Sequence, residues 1–120
     1  MTDVEVVLAD AKKEVKEKGY IQEDILVWGM RKMTPFNREV KMQFFGIKDG
    51  KFMVLPFIDI KTILYDQVRY YAKDEIDLRF VKLRNDLFEV TVKGSKTETY
   101  MIMGMSGIAG LKTIMKMMYG

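Results

Sequence analysis

Acidic residues are the side chains of this sequence that could do acid–base or metal chemistry. Asp74, Glu75 and Asp77 lie close together, and carboxylates can transfer protons or bind hard cations. The chain has no histidine and no cysteine, which excludes a Ser-His-Asp triad, a Cys-His pair and the usual zinc sites. Three neighbouring acids are more simply a polar turn that leads into a strand. We therefore predict a protein that is not an enzyme and uses no cofactor or metal, with a carboxylate-dependent enzyme as a remote alternative.

Basic residues are concentrated in residues 31–41, RKMTPFNREVK, which Pro35 and Asn37 mark as a loop. Such a loop can attract anionic headgroups or an anionic membrane surface, although a loop of solvated charges is the simpler interpretation. The candidate binding residues are Arg31, Lys32, Arg38 and Lys41.

Length and composition indicate one globular domain. The chain has 120 residues, of which 48% are hydrophobic and 31% are charged, enough for a single hydrophobic core. The net charge of +3 is too small to indicate a dedicated nucleic-acid binder. No apolar run is long enough for a membrane span and no leader is recognisable, so we expect a cytoplasmic protein.

Two helices are predicted, one at each end of the chain. The first covers residues 3–18, between a capping box formed by Thr2 and Glu5 and a stop at Gly19. The second follows the N-cap residue Ser106. Their apolar stripes are Val4, Val7, Leu8, Ala11 and Val15 in the first helix, and Ile108, Leu111, Ile114, Met115 and Met118 in the second.

The segment between the helices alternates as β-strands do. Asp49-Gly50 predicts a type I′ hairpin turn, because both residues tolerate positive φ, and Pro56 is expected to end the hairpin. Both faces of this hairpin are apolar, and we expect the C-terminal helix to cover the second one. The first face has Phe45, Ile47, Phe52 and Val54, and the second has Phe44, Met53 and Leu55.

Two further hairpins follow, and burial predicts their registers. A loop at 84–86 pairs Phe80 with Val90 and Leu78 with Val92; a loop at 94–96 pairs Val90 with Tyr100 and Phe88 with Ile102. These pairings gather the apolar residues on one face. Residues 57–75 are harder to interpret, with a helical turn near Thr62 and a strand at 68–71 as the expectation.

Three segments resemble the bacterial pleckstrin-homology-like domains. They are FGIKDGKFMVLPF (45–57), YAKDEIDLRFVKLRNDLFEVTVKG (71–94) and the terminal helix. The resemblance implies a mainly β fold with flanking helices, in which a bent antiparallel barrel of about seven strands is closed by the C-terminal helix. It divides one domain into an N-terminal helical extension (1–19), the barrel (20–104) and the closing helix (105–120).

The resemblance also bears on function. In eukaryotic relatives of this fold, the loop between the first two strands holds inositol phosphates, but the usual basic-x-Arg pair inside the second strand is missing here. We therefore predict a binding or scaffolding module that recognises a protein segment or its own copy. The narrow apolar stripe of the first helix and the antiparallel edge strands both favour self-association, so we expect a homodimer. The alternative is a peripheral binder of anionic membranes through residues 31–41. No nucleic-acid partner is expected.

Overall fold

The structure, a computed structural model, describes residues 3–33, 35–36, 41–59, 61–104 and 106–120. It confirms a mainly β chain with one helix near each end. None of the described helices has the length and apolar character that crossing a membrane requires. In chain order the elements are α1 (Asp3–Glu17), β1 (Val27–Arg31), β2 (Met42–Lys48), β3 (Lys51–Asp59), β4 (Thr62–Ile63), a 3₁₀ helix (Tyr65–Gln67), β5 (Arg69–Tyr71), β6 (Ile76–Val81), β7 (Arg84–Val92), β8 (Glu98–Met103) and α2 (Ser106–Tyr119).

The strands form one antiparallel sheet in the order β4-β3-β2-β1-β8-β7-β6, with β5 also paired to β3. The expected closed barrel is wrong for the described residues, because no ladder joins β6 to β3, β4 or β5. The chain passes from β5 to β6 through the turn at 72–75 without pairing the two strands, since β5 adds to β3 and β6 adds to β7. The eight described strands exceed the predicted seven by β4, which occupies Thr62–Ile63 where a helical turn was expected. The helical turn lies instead at Tyr65–Gln67, and the expected strand at 68–71 is β5.

The Asp49-Gly50 turn forms as predicted. Asp49 has a φ of 53° and Gly50 a φ of 74°, as a type I′ turn requires. The predicted pairs Ile47–Phe52 and Phe45–Val54 are present. Local turn chemistry therefore sets the register of this hairpin.

The two faces of this hairpin are covered by two different helices. The first face, which is the concave side of the sheet, packs against Leu111, Ile114 and Met118 of α2. The second, convex face packs against Leu8, Ala11 and Val15 of α1. The expectation that α2 covers the second face is therefore wrong. Side chains of α2 meet the face on which β8 places Tyr100 and Ile102, which leaves the opposite face to α1.

Pro56 lies inside β3 rather than at its end, opposite Gln43 of β2. Its carbonyl oxygen accepts a hydrogen bond from Leu64 N at 2.9 Å, so its backbone groups point away from β2. The missing N–H therefore costs no hydrogen bond between β2 and β3.

Both later hairpins differ from the predicted register by two positions. Phe80 pairs with Phe88 instead of Val90, because the turn is at Lys82-Leu83, where Leu83 has a φ of 68°. Phe88 also pairs with Tyr100 instead of Ile102. A shift of two keeps every side chain on its predicted face, and Tyr100 and Ile102 are indeed buried.

Candidate binding cleft

An open cleft of about 720 Å³ lies on the concave face of the sheet. That volume is in the range of pockets that hold small ligands or side chains. Apolar and aromatic residues form its floor, and charged and polar residues surround them. The floor residues are Phe45, Val54, Val90 and Tyr100, and the charged residues are Lys41, Asp66, Arg69, Lys96 and Glu98.

Glu98 is the centre of a polar network on one wall of the cleft. Lys41 Nζ lies 3.2 Å and Arg31 Nη1 lies 3.6 Å from Glu98 Oε2. The Tyr100 hydroxyl donates to Glu98 Oε1 at 2.9 Å. Gln43 Nε2 in turn donates to the Tyr100 hydroxyl at 2.6 Å. Both the acid and the aromatic residue are thus held in fixed positions.

Strand alternation places these residues on the same face. Gln43 is two residues before Phe45 on β2, and Glu98 is two residues before Tyr100 on β8. The other inward positions of these strands are apolar. A polar residue at a position where the alternation predicts an apolar one was therefore the signal in the sequence for Gln43 and Glu98. Sequence reasoning missed Gln43 and Glu98. Gln43 is only 4% exposed, and its hydrogen bond offsets the cost of its burial.

The structure brings together two of the four predicted basic residues. Arg31 N donates to Lys41 O at 2.8 Å, and both side chains lie beside Glu98. The side chain of Lys32 is exposed and its N–H donates to Thr99 O at 2.7 Å. Arg38 lies outside the described residues. Glu98 therefore balances part of the positive charge that was expected to hold an anion.

Further lining of the cleft comes from the segment whose structure the sequence did not make clear. The 3₁₀ helix contributes Asp66 and Gln67, and β5 contributes Arg69 and Tyr71. Together with Lys96 from the β7–β8 turn, these residues surround the apolar floor with charges of both signs. Such a cleft suits a ligand that has apolar, cationic and anionic groups.

The acidic cluster lies apart from this cleft. Asp74 and Glu75 are exposed in the turn before β6, where Glu75 Oε1 accepts a hydrogen bond from Ala72 N at 2.8 Å. Asp77 is exposed on β6. Within the described ranges, no group of three or more acids is arranged to hold a metal ion.

Tyr100 gives the cleft a pH dependence. Burial, followed by the charge of Glu98 and their hydrogen bond, raises the pKa of Tyr100 above its ordinary value of 10.0, while Gln43 and Arg31 act in the opposite direction. Because the folded state holds the phenol proton more tightly, this stabilisation is complete below pH 10.0 and is lost as pH rises towards the folded pKa.

We expect Tyr100→Phe to reduce this alkaline loss of stability. Urea unfolding of both proteins on either side of the ordinary tyrosine pKa of 10.0 measures it. The variant keeps the ring but has no ionisable group, so its free energy of unfolding should fall less steeply with pH. Equal slopes would contradict a raised pKa for Tyr100.

No protein-family model, curated protein or solved structure matches this chain. The chemistry of the cleft is therefore what indicates a function.

Proposed function

We propose that this chain is a non-catalytic, pleckstrin-homology-like binding module that holds a segment of a partner protein in its concave cleft. The observation that carries the proposal is the apolar floor of the cleft beside the Glu98 network, in which Lys41 and Arg31 are already paired with an acid. A polypeptide presents apolar, cationic and anionic groups together, so it complements this lining better than a purely anionic ligand does.

The sheet topology supports the pleckstrin-homology-like part of this proposal. One antiparallel sheet contains the described strands, and the terminal helix packs on its concave face, which agrees with the bent sheet and covering C-terminal helix that the resemblance implies. The cytoplasm, the default location for such a module, is also part of the proposal.

A selection from a random displayed peptide library tests the cleft. We expect enrichment of peptides with an aromatic or aliphatic residue next to a charged one, because the floor is apolar and the rim is charged. Fluorescence anisotropy should then show that Arg69→Glu, on the rim, weakens binding about tenfold or more, as loss of a well-placed charged contact does.

Lys112→Glu is the matched control. Lys112 is an exposed residue of α2, so the same reversal of charge should leave the affinity unchanged. The proposal is wrong if no peptide is enriched, or if Arg69→Glu and Lys112→Glu bind the enriched peptides equally well.

An anionic membrane surface is the second candidate ligand, and the exposed apolar residues of the β1–β2 connection favour it. Phe36 is 99% exposed and Met33 is 55% exposed, close to the exposed Lys32. Apolar residues next to basic ones can enter the headgroup region while the charges attract anionic lipids.

Flotation with phosphatidylserine-containing vesicles distinguishes the two candidates. Binding that disappears with Phe36→Ser and weakens at physiological salt would support the membrane surface. Equal recovery with neutral phosphatidylcholine vesicles, or none with either, would count against it.

A further inference from the structure

Strand β6 is an edge of the sheet whose outward backbone groups are open. Lys93 N donates to Glu75 O at 2.9 Å, which places residues 75, 77 and 79 in the hydrogen-bonded pairs with β7. The N–H and C=O groups of Ile76, Leu78 and Phe80 therefore point away from β7. Among the turn and loop hydrogen bonds of the described residues, none involves the backbone of Leu78 or Phe80.

The end of α2 covers only one acceptor of this edge. The Tyr119 hydroxyl donates to Ile76 O at 2.7 Å, although the side chain is 44% exposed. A carbonyl oxygen has two lone pairs, so this bond still leaves room for a second donor. Open edges of this kind pair readily with another strand.

The exposed charges of β6 indicate which strand pairs with this edge: a second copy of β6. Asp77 and Arg79 flank Leu78, and both side chains are exposed. If a second copy of β6 pairs antiparallel with Leu78 opposite Leu78, then Asp77 of each copy lies opposite Arg79 of the other. In the same register, Ile76 of each copy lies opposite Phe80 of the other. All the residues whose N–H and C=O groups point away from β7 therefore face one another, as hydrogen-bonded pairs require.

Neighbouring registers are disfavoured by the same charges. A shift of two residues in one direction sets Asp77 opposite Asp77, and in the other direction it sets Arg79 opposite Arg79. Directly opposed like charges destabilise a strand pair. Arg79 Nε already lies 2.9 Å from Glu89 Oε1 of the neighbouring strand, and its guanidinium has further donors for an acid on the other side.

We propose that two copies of this chain associate by antiparallel pairing of their β6 edges, centred on Leu78. The sheet then continues from one copy into the other, with two Asp77–Arg79 pairs across the junction. The cleft lining contains no residue of β6, so this inference goes beyond the proposed function and does not depend on it.

Charge reversal tests the register directly. Arg79→Asp leaves two acids on each edge and Asp77→Arg leaves two bases, so each variant alone opposes like charges and should be monomeric. We expect sedimentation velocity to show a dissociation constant raised about tenfold or more for either variant, since two favourable cross-strand pairs become unfavourable. An equimolar mixture restores both opposite-charge pairs and should form a heterodimer.

The exposed turn residue Lys82 supplies the control. Lys82→Asp changes the net charge as Arg79→Asp does, but it should remain as dimeric as the unaltered protein. Circular dichroism identifies any variant that fails to fold, and in that case Asp77→Asn and Arg79→Gln give milder versions of the same test. An unaltered protein that is monomeric at high micromolar concentration overturns the proposal. Dimers that withstand both charge reversals, or folded variants whose mixture stays monomeric, overturn it as well.

Discussion

Leu111→Ala should lower the free energy of unfolding by about 2–5 kcal/mol, the range for truncating a buried leucine. Leu111 is 0% exposed and belongs to the core between α2 and the concave face, together with Val27 and Ile114. The truncation removes apolar contacts and leaves a cavity that the sheet cannot close. Urea unfolding followed by circular dichroism measures the change as a lower midpoint.

Lys112→Ala is the control for this helix, because its side chain is exposed. We expect a change within about 0.5 kcal/mol, as for most surface substitutions. If Leu111→Ala and Lys112→Ala share one midpoint, α2 does not pack on the sheet and the arrangement of the concave core is wrong.

Ala11→Asp, on the other face of the sheet, should lower the free energy of unfolding at least as much as Leu111→Ala does. Ala11 is 2% exposed and packs in the convex core with Phe44 and Leu55. An aspartate there buries a carboxylate among apolar and aromatic side chains, none of which carries a positive charge. We expect a loss of about 3–5 kcal/mol, typical of an uncompensated buried charge.

Ala9→Asp makes the identical chemical change on the exposed side of α1. Its effect should stay within about 0.5 kcal/mol. The difference between the two midpoints therefore measures how firmly α1 is packed, free of any difference in helix propensity. Similar losses at Ala9 and Ala11 would mean that α1 does not cover Phe44 and Leu55.

The convex face explains why the hairpin has apolar residues on both sides. With Phe45 and Val54 against α2 and Phe44 and Leu55 against α1, the sheet is a middle layer between two helices. A sheet covered on both faces has strands with nearly continuous apolar runs. Removing α1 would expose the whole second face, which we expect to cause aggregation.

The sequence alone determined the elements whose rules are local. Apolar stripes predict both helices, and the tolerance of Asp49 and Gly50 for positive φ makes their turn and its register predictable. The predicted caps are not part of this success: Thr2 lies outside the described residues, and Ser106 begins α2 with its hydroxyl donating to Glu5 Oε2. Alternation correctly assigned the faces of Phe88, Tyr100 and Ile102. Arg31 and Lys41 were also selected from the sequence, and they do line one polar network.

Tertiary structure decided what depends on contacts between distant parts of the chain. A shift of two residues preserves every face, so burial could not choose the registers of the later hairpins. The turn at Leu83 sets the register of β6 against β7. An apolar stripe indicates that one side of a helix is buried, but it does not indicate which face of the sheet covers it. Only the packed structure therefore shows that α2 covers one face of the hairpin and α1 the other. The partner of Lys41 is Glu98, 57 residues away, and only the pairing of β1 with both β2 and β8 brings them together.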